Sequence, residues 1–203
     1  MLLTEFDANR QAIINPEALH EPLEGFPKIA VSCFSRLTFQ RMLEMFPHEL
    51  IYETSMANVA IPIYKLVIDD NELAIFNAPV GSSACVGILE DIFVLGADKL
   101  VLFGTCGVLD EDIKETSIII PSHALRDEGT SFHYVEASDE IAVNVGVLDH
   151  FRSYLNERQI SHKEGKVWTT DGIYRETNGK LKARKSAGAI CVDMECSAVA
   201  ALA

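Results

Sequence analysis

The sequence predicts an α/β fold of three layers, α/β/α, around a central mixed sheet. Three observations predict it. Short apolar runs alternate with segments of helical spacing from residue 28 onward. Lys99–Phe103 is a continuous apolar run, the pattern of a strand covered on both faces, and Ser117–Pro121 reads as another strand. The acidic turn Asp69-Asp70-Asn71 joins two alternating segments as a hairpin, which inserts antiparallel pairs into the sheet. A chain of 203 residues that is 48% hydrophobic supplies the core of one such domain, taken as residues 1–203. No internal repeat or low-complexity segment interrupts it.

Charge narrows the partners. A net charge of −13 repels phosphate backbones and anionic lipid, so neither nucleic acid nor a membrane surface is an expected partner. A small anion is still admissible, since one Arg or a ring of backbone N–H groups can hold phosphate in an acidic protein. Five cysteines without a C-x-x-C pair suggest a reducing compartment, and Met1 to Arg10 has no apolar leader. The expectation is a cytoplasmic protein. No His, Cys or carboxylate group has metal-ligand spacing, so no metal is expected.

Residues 1–27 read as an extended arm, with prolines at 16, 22 and 27, and they carry His20. Lys28–Phe34 is a strand and Ser35–Leu43 the helix after it. Arg36 stands at the helix start, where anions bind, although an ordinary surface Arg at a helix end is the commoner case. Three strands follow, at 49–55, 61–68 and 72–78. Gly81–Gly96 is a helix whose first turns are small enough to pack closely on a sheet. Ser82 and Ser83 do not form a G-x-S-x-G elbow, which argues against a serine hydrolase.

The strand Lys99–Phe103 ends in Gly104-Thr105-Cys106-Gly107. Glycines around a Thr let backbone N–H groups approach a ligand, and the carboxyl end of a buried strand is where open α/β sheets bind them. Such a turn also occurs in ordinary loops. Arg126–Tyr134 reads as a hydrogen-bonded loop in which Arg126 pairs with Asp127 or Glu128; Glu140–Gln159 has helical spacing, Ile160–Trp168 is a strand and Thr177–Lys185 a helix. Finally Ala189–Val192 is a strand that meets Asp193-Met194-Glu195 and turns into a helix beginning at Met194. The two acids read first as an N-cap and a first-turn charge.

Four segments taken together resemble the nucleoside phosphorylase family, in particular its uridine-phosphorylase-like branch. They are Phe103-Gly104-Thr105-Cys106-Gly107-Val108-Leu109, then Ile118–Pro121 with Arg126–Tyr134, then Trp168–Glu176, and Val192-Asp193-Met194-Glu195. The resemblance spans roughly residues 28–203 in the family's order. It implies a phosphorylase/hydrolase-like fold and cleavage of a nucleoside, uridine foremost, by phosphate to free base and ribose 1-phosphate. Phosphate is then a co-substrate and no cofactor is needed. The resemblance implies catalytic roles for Glu195, Arg36 and Thr105. Ribose falls to Met194 and Glu195, phosphate to Arg36, Gly104 and Thr105, and the base to Cys106, Gly107 and Ile173. It also implies a homo-oligomer, a dimer or a trimer of dimers, and a domain that continues beyond residue 203.

The departures from the pattern set the alternatives. The first phosphate loop reads Ser32-Cys33-Phe34-Ser35 rather than a Gly-Asp-Pro type turn, and Leu102 and Phe103 stand where the family has an Arg. The Arg that a neighbouring subunit contributes has no match here, and His20 is the candidate for the contributed His. A nucleosidase of the methylthioadenosine type, which uses water, needs no phosphate cradle and is the alternative enzyme. A non-catalytic nucleoside-binding protein is the alternative outside catalysis. Cys106 as a nucleophile lacks a partner at any telling spacing.

Overall fold

The computed structural model describes residues 2–114 and 117–203. Contacts group the chain into two compact units. One comprises Asn9–Val80 and Ala84–Thr105; the other comprises the stretch up to Ala8, Gly81–Ser83 and Cys106–Ala203. The class is mixed α/β, as the sequence predicts. Where the sequence predicts one central sheet, the ladders divide into two mixed sheets of five strands each.

The first unit holds β1 (Ile29–Cys33), α1 (Arg36–Met45), β2 (His48–Met56), β3 (Val59–Ile68), β4 (Asn71–Asn77) and β5 (Lys99–Phe103). It also holds α2 (Ser82–Leu95) from Ala84 onward. The strand order is β2-β3-β4-β1-β5, with β1 parallel to both β4 and β5 and the other pairs antiparallel. Asp69 and Asp70 both have positive φ, 48° and 63°, so the predicted acidic hairpin closes in the two-residue form that matches strand twist. Ser35 caps α1 by accepting the Thr38 N–H at 3.2 Å. Ile88, Leu89, Ile92 and Leu95 on α2 are fully buried, with Ile63, Leu66 and Phe76 among the buried residues of the sheet.

The arm is not simply laid out along a surface. Phe26 is buried, and His20 hydrogen-bonds the Tyr52 hydroxyl at 3.0 Å and faces Asp91 at 3.2 Å, all inside this unit. Ile13 and Ile14 remain exposed.

The second unit holds β6 (Gly107–Val108), β7 (Ile118–Asp127), β8 (Glu140–Ala142), α3 (Val145–Glu157), β9 (His162–Thr170), α4 (Asn178–Ser186), β10 (Ala189–Asp193) and α5 (Cys196–Leu202). Its strand order is β6-β10-β9-β7-β8, parallel across β10, β9 and β7 and antiparallel at the two edges. Trp168, Leu125, Ala189 and Val192 form one core cluster, and Ile120, Leu148 and Leu155 form another against α3.

Four boundaries differ from the sequence reading. β7 runs on through Pro121 to Asp127, because a register shift between Pro121 and His123 accommodates the residue that cannot donate. The predicted helix over 140–159 is split into β8 and α3, since Glu140–Ala142 pairs with His123–Leu125 and Asn144 caps the helix by accepting the Val147 N–H. β9 lies two residues later than predicted at each end. The last helix starts at Cys196 rather than Met194, for a reason that lies in the site.

Candidate active site

The candidate residues fall in both units and are described unit by unit. In the second unit β10 delivers Asp193-Met194-Glu195 to the start of α5. The cap of that helix is built by Asp193 together with a residue from the neighbouring strand. Asp193 Oδ2 accepts the N–H groups of Cys196 at 2.8 Å and Glu195 at 3.2 Å, while Oδ1 accepts the Thr169 hydroxyl at 2.7 Å. Thr169 Oγ1 in turn accepts the Ser197 N–H at 3.1 Å. Burial pushes the Asp193 carboxyl above the usual range, and these hydrogen bonds oppose the rise.

With Asp193 capping, Glu195 occupies the N-cap position without serving as a cap. Its backbone (φ −135°, ψ −28°) is not helical, which is why α5 starts one residue later. Its side chain instead reaches Gly81, whose N–H donates to Oε1 at 2.6 Å. Next to it the Ser82 hydroxyl donates to the Met194 carbonyl at 2.7 Å. Glu195 is 8% exposed, and burial raises its carboxyl pKa, with the Asp193 charge adding and the Gly81 N–H opposing.

α5 is braced from a second side. Glu128 Oε1 accepts the Ser197 hydroxyl at 3.0 Å and also takes the Ser131 hydroxyl, while Oε2 accepts the Ser131 N–H at 3.0 Å. Arg126 does not pair with Asp127 or Glu128 as the sequence suggests. It donates to Ser131 and Ser138, both at 2.8 Å, and to the Glu136 carbonyl at 2.7 Å, and it lies over the Phe132 ring. Asp127 takes the Trp168 indole N–H, Lys180 and Arg184, which hold its carboxyl below the usual range despite burial.

Gly107 stands opposite Val192 in the β6–β10 ladder. A Cβ there would lie 2.8 Å from Val192 Cγ1, so the close approach requires glycine. Cys106, one residue earlier, is half-buried. Ile173 lies in a 3₁₀ turn just past β9 and is 55% exposed. Because β9 and β10 are parallel with Asp193 opposite Thr169, Ile173 follows its strand at the same sheet edge as Met194 and Glu195.

In the first unit β1 and β5 are adjacent and parallel, with Cys33 opposite Phe103. The turn carrying Arg36 and the turn carrying Gly104 and Thr105 therefore leave the sheet side by side. They touch: a Cβ on Gly104 would lie 2.8 Å from the Phe34 ring. Arg36 and Thr105 are both exposed. Ser32 braces the first turn, donating to the Phe76 carbonyl at 2.9 Å and accepting the Ala78 N–H at 3.0 Å.

Residues 28–203 match the phosphorylase superfamily. The chain belongs to that superfamily. Among its curated relatives are a guanosine phosphorylase of Halorubrum lacusprofundi, 23% identical over 69% of this chain and 59% of that protein, and a DeoD-type purine nucleoside phosphorylase of Brevibacillus brevis, 31% identical over 53% of this chain and 46% of that protein. The chain thus spans about half the length of these relatives. Among solved structures, uridine phosphorylase from Vibrio fischeri aligns with a TM-score of 0.79 at 18% identity, over 95% of this chain and 80% of that one. Purine nucleoside phosphorylase from Toxoplasma gondii aligns with a TM-score of 0.75 at 19% identity, over 87% and 71%. At those identities the likeness is one of fold.

Among the described residues no helix is long and apolar enough to cross a membrane, and no group of three His, Cys, Asp or Glu could hold a metal ion. The sequence reading missed Gly81, Ser82, Thr169 and Glu128 as supports of the Glu195 segment. Only Thr169 carried a signal, as a polar residue at the end of an apolar strand.

Proposed function

We propose that this superfamily member is a nucleoside phosphorylase, a pentosyltransferase that cleaves an N-glycosidic bond with phosphate to give free base and ribose 1-phosphate. The observation that carries the reading is the Glu195 carboxylate, buried at the head of α5 yet released from capping it. A carboxylate only accepts hydrogen bonds, with about four lone-pair positions over its two oxygens. The Gly81 N–H uses Oε1, and the remaining capacity suits the two hydroxyls of a ribose diol. Met194 packs beside the sugar in this reading.

Departure of the base builds positive charge on the sugar ring. A fixed carboxylate and an incoming phosphate are worth most when that charge develops, and holding phosphate at the reacting carbon adds proximity. Arg36, Gly104 and Thr105 are proposed for phosphate: a cation and a hydroxyl on two adjoining turns that end parallel strands. Cys106, Gly107 and Ile173 are proposed for the base. Uridine is the proposed nucleoside, on the motif resemblance; the guanosine and purine activities named for relatives make purines the competing choice. We further propose a cytoplasmic homo-oligomer acting in nucleoside salvage, to which the exposed Ile13 and Ile14 contribute contact surface.

Hydrolysis of the methylthioadenosine type is the second reading. Leu102 and Phe103 favour it, since they bring no cation to the turn at Gly104. The experiment is base release over a panel of uridine, guanosine, adenosine and methylthioadenosine, with Glu195→Ala as the control. Release from at least one nucleoside, lost by 100-fold or more in the variant, is the expected result. Equal release by parent and variant contradicts the assignment of Glu195.

A further inference from the structure

We propose that Cys106 and Cys191 form an oxidation site, in which hydrogen peroxide converts Cys106 to a sulfenic acid and Cys191 resolves it as an intramolecular disulfide. The β6–β10 ladder sets the pair. Val108 stands opposite Cys191 and Gly107 opposite Val192. Side chains alternate between faces of a strand, so Cys106, preceding Gly107, returns to the face that carries Val108 and Cys191. Cys106, the residue before β6, is then the diagonal neighbour of Cys191 on one face, and each thiol is felt electrostatically by the other.

Exposure divides the two roles. Cys106 is half-buried and within reach of a small oxidant, whereas Cys191 is 1% exposed. An oxidant therefore meets Cys106 first, with the second thiol already beside it. The groups that face the pair are Asp193, further along β10, and Cys196 at the start of α5. The neighbouring Cys191 thiol lowers the Cys106 thiol to about 7, against burial and the Asp193 charge. Cys191 is pushed far up by Cys106 and by burial, and Cys196 is raised by its burial. Near neutral pH the pair is thus one thiolate and one thiol, the division a peroxide-sensing pair needs.

The steps balance. The Cys106 thiolate attacks one peroxide oxygen, the O–O bond breaks, and the departing hydroxide takes a proton to become water. The Cys191 sulfur, losing its proton, then attacks the Cys106 sulfur; an S–S bond forms, the S–O bond breaks, and the hydroxyl leaves with that proton as a second water. Two thiols and one peroxide give one disulfide and two waters, with sulfur oxidised and peroxide reduced. The sulfurs must close to about 2.0 Å, which needs backbone movement for diagonal neighbours. Cys106 can make that movement because it lies in the turn Gly104-Thr105-Cys106-Gly107, outside the ladder and just before β6. The inference does not depend on nucleoside cleavage.

The test uses the intact chain. It is treated with one equivalent of hydrogen peroxide at pH 7.5, quenched with N-ethylmaleimide, digested without reductant and read by mass spectrometry. The expected result is loss of two alkylatable thiols of the five, a linked pair of peptides containing Cys106 and Cys191, and reversal by dithiothreitol. In Cys191→Ser, dimedone should trap a sulfenic acid on Cys106. Peroxide consumption should slow at least tenfold in Cys106→Ser. In the parent, alkylation of Cys106 by iodoacetamide should rise with pH around a midpoint near 7. A chain in which Cys106 stays alkylatable after peroxide, in which Cys33, Cys85 or Cys196 oxidises first, or in which the alkylation midpoint lies above 8.5 overturns the proposal.

Discussion

The Gly81 N–H donates to Glu195 Oε1 at 2.6 Å, joining the residue just before α2 to the residue just before α5. That bond fixes a carboxylate which the helix does not need as a cap. Gly81 has φ +103°, a conformation that L side chains rarely adopt, although a Cβ there meets nothing within 4 Å. Gly81→Ala should therefore destabilise through backbone strain rather than collision, by roughly 1–2 kcal/mol. Its signature is a lowered denaturation midpoint together with weakened nucleoside binding; an unchanged midpoint contradicts the assignment.

The protonation of Glu195 couples to stability with a definite sign. Burial raises its folded pKa above the unfolded value of about 4.3. The folded state then binds the proton more tightly, so this contribution to stability is complete below the unfolded pKa and is lost as pH rises through the folded one. Glu195→Gln removes the dependence. The variant should melt above the parent at pH 7 in ligand-free buffer, and the two should converge near pH 4. Scanning calorimetry across that range checks it, and a variant that melts lower at pH 7 contradicts the raised carboxyl pKa of Glu195. A gain in stability with loss of function is the expected trade at a ligand site.

Asp193 carries the cap. Asp193→Ala removes acceptors from the Cys196 and Glu195 N–H groups and from the Thr169 hydroxyl, and should cost about 1–3 kcal/mol. Asp193→Asn keeps one side-chain oxygen and removes a buried charge, so it should cost less. Chemical denaturation of both variants decides the order. Asn as damaging as Ala contradicts the capping role.

Gly104→Ala probes the other turn. The added methyl meets the Phe34 ring at 2.8 Å and should separate the turns that follow β1 and β5. If Arg36 and Thr105 share phosphate, its KM should rise by about tenfold, roughly 1.4 kcal/mol of lost binding, while the KM for nucleoside changes less. A change confined to nucleoside contradicts the phosphate assignment.

What the sequence disclosed depended on how local the cause was. The hairpin at Asp69-Asp70, the cap at Ser35 and the acid after Val192 are short-range features with turn or cap chemistry of their own. β8 was hidden because Glu140-Ile141-Ala142 suits a helix as well as a strand, and only its pairing with His123–Leu125 decides. The full length of β7 was hidden by Pro121, whose bulge depends on a partner strand some forty residues on. The division of labour between Asp193 and Glu195 rests on Thr169 and Gly81, 24 and 114 residues away. No local pattern encodes a cap supplied from the neighbouring strand.

Phosphorolysis is tested most directly by the rate of base release from the preferred nucleoside as phosphate is titrated from zero to saturation. Release should rise hyperbolically from a negligible value without phosphate, with ribose 1-phosphate formed one for one with base. Release at full rate in phosphate-free buffer, with free ribose as the product, would contradict it.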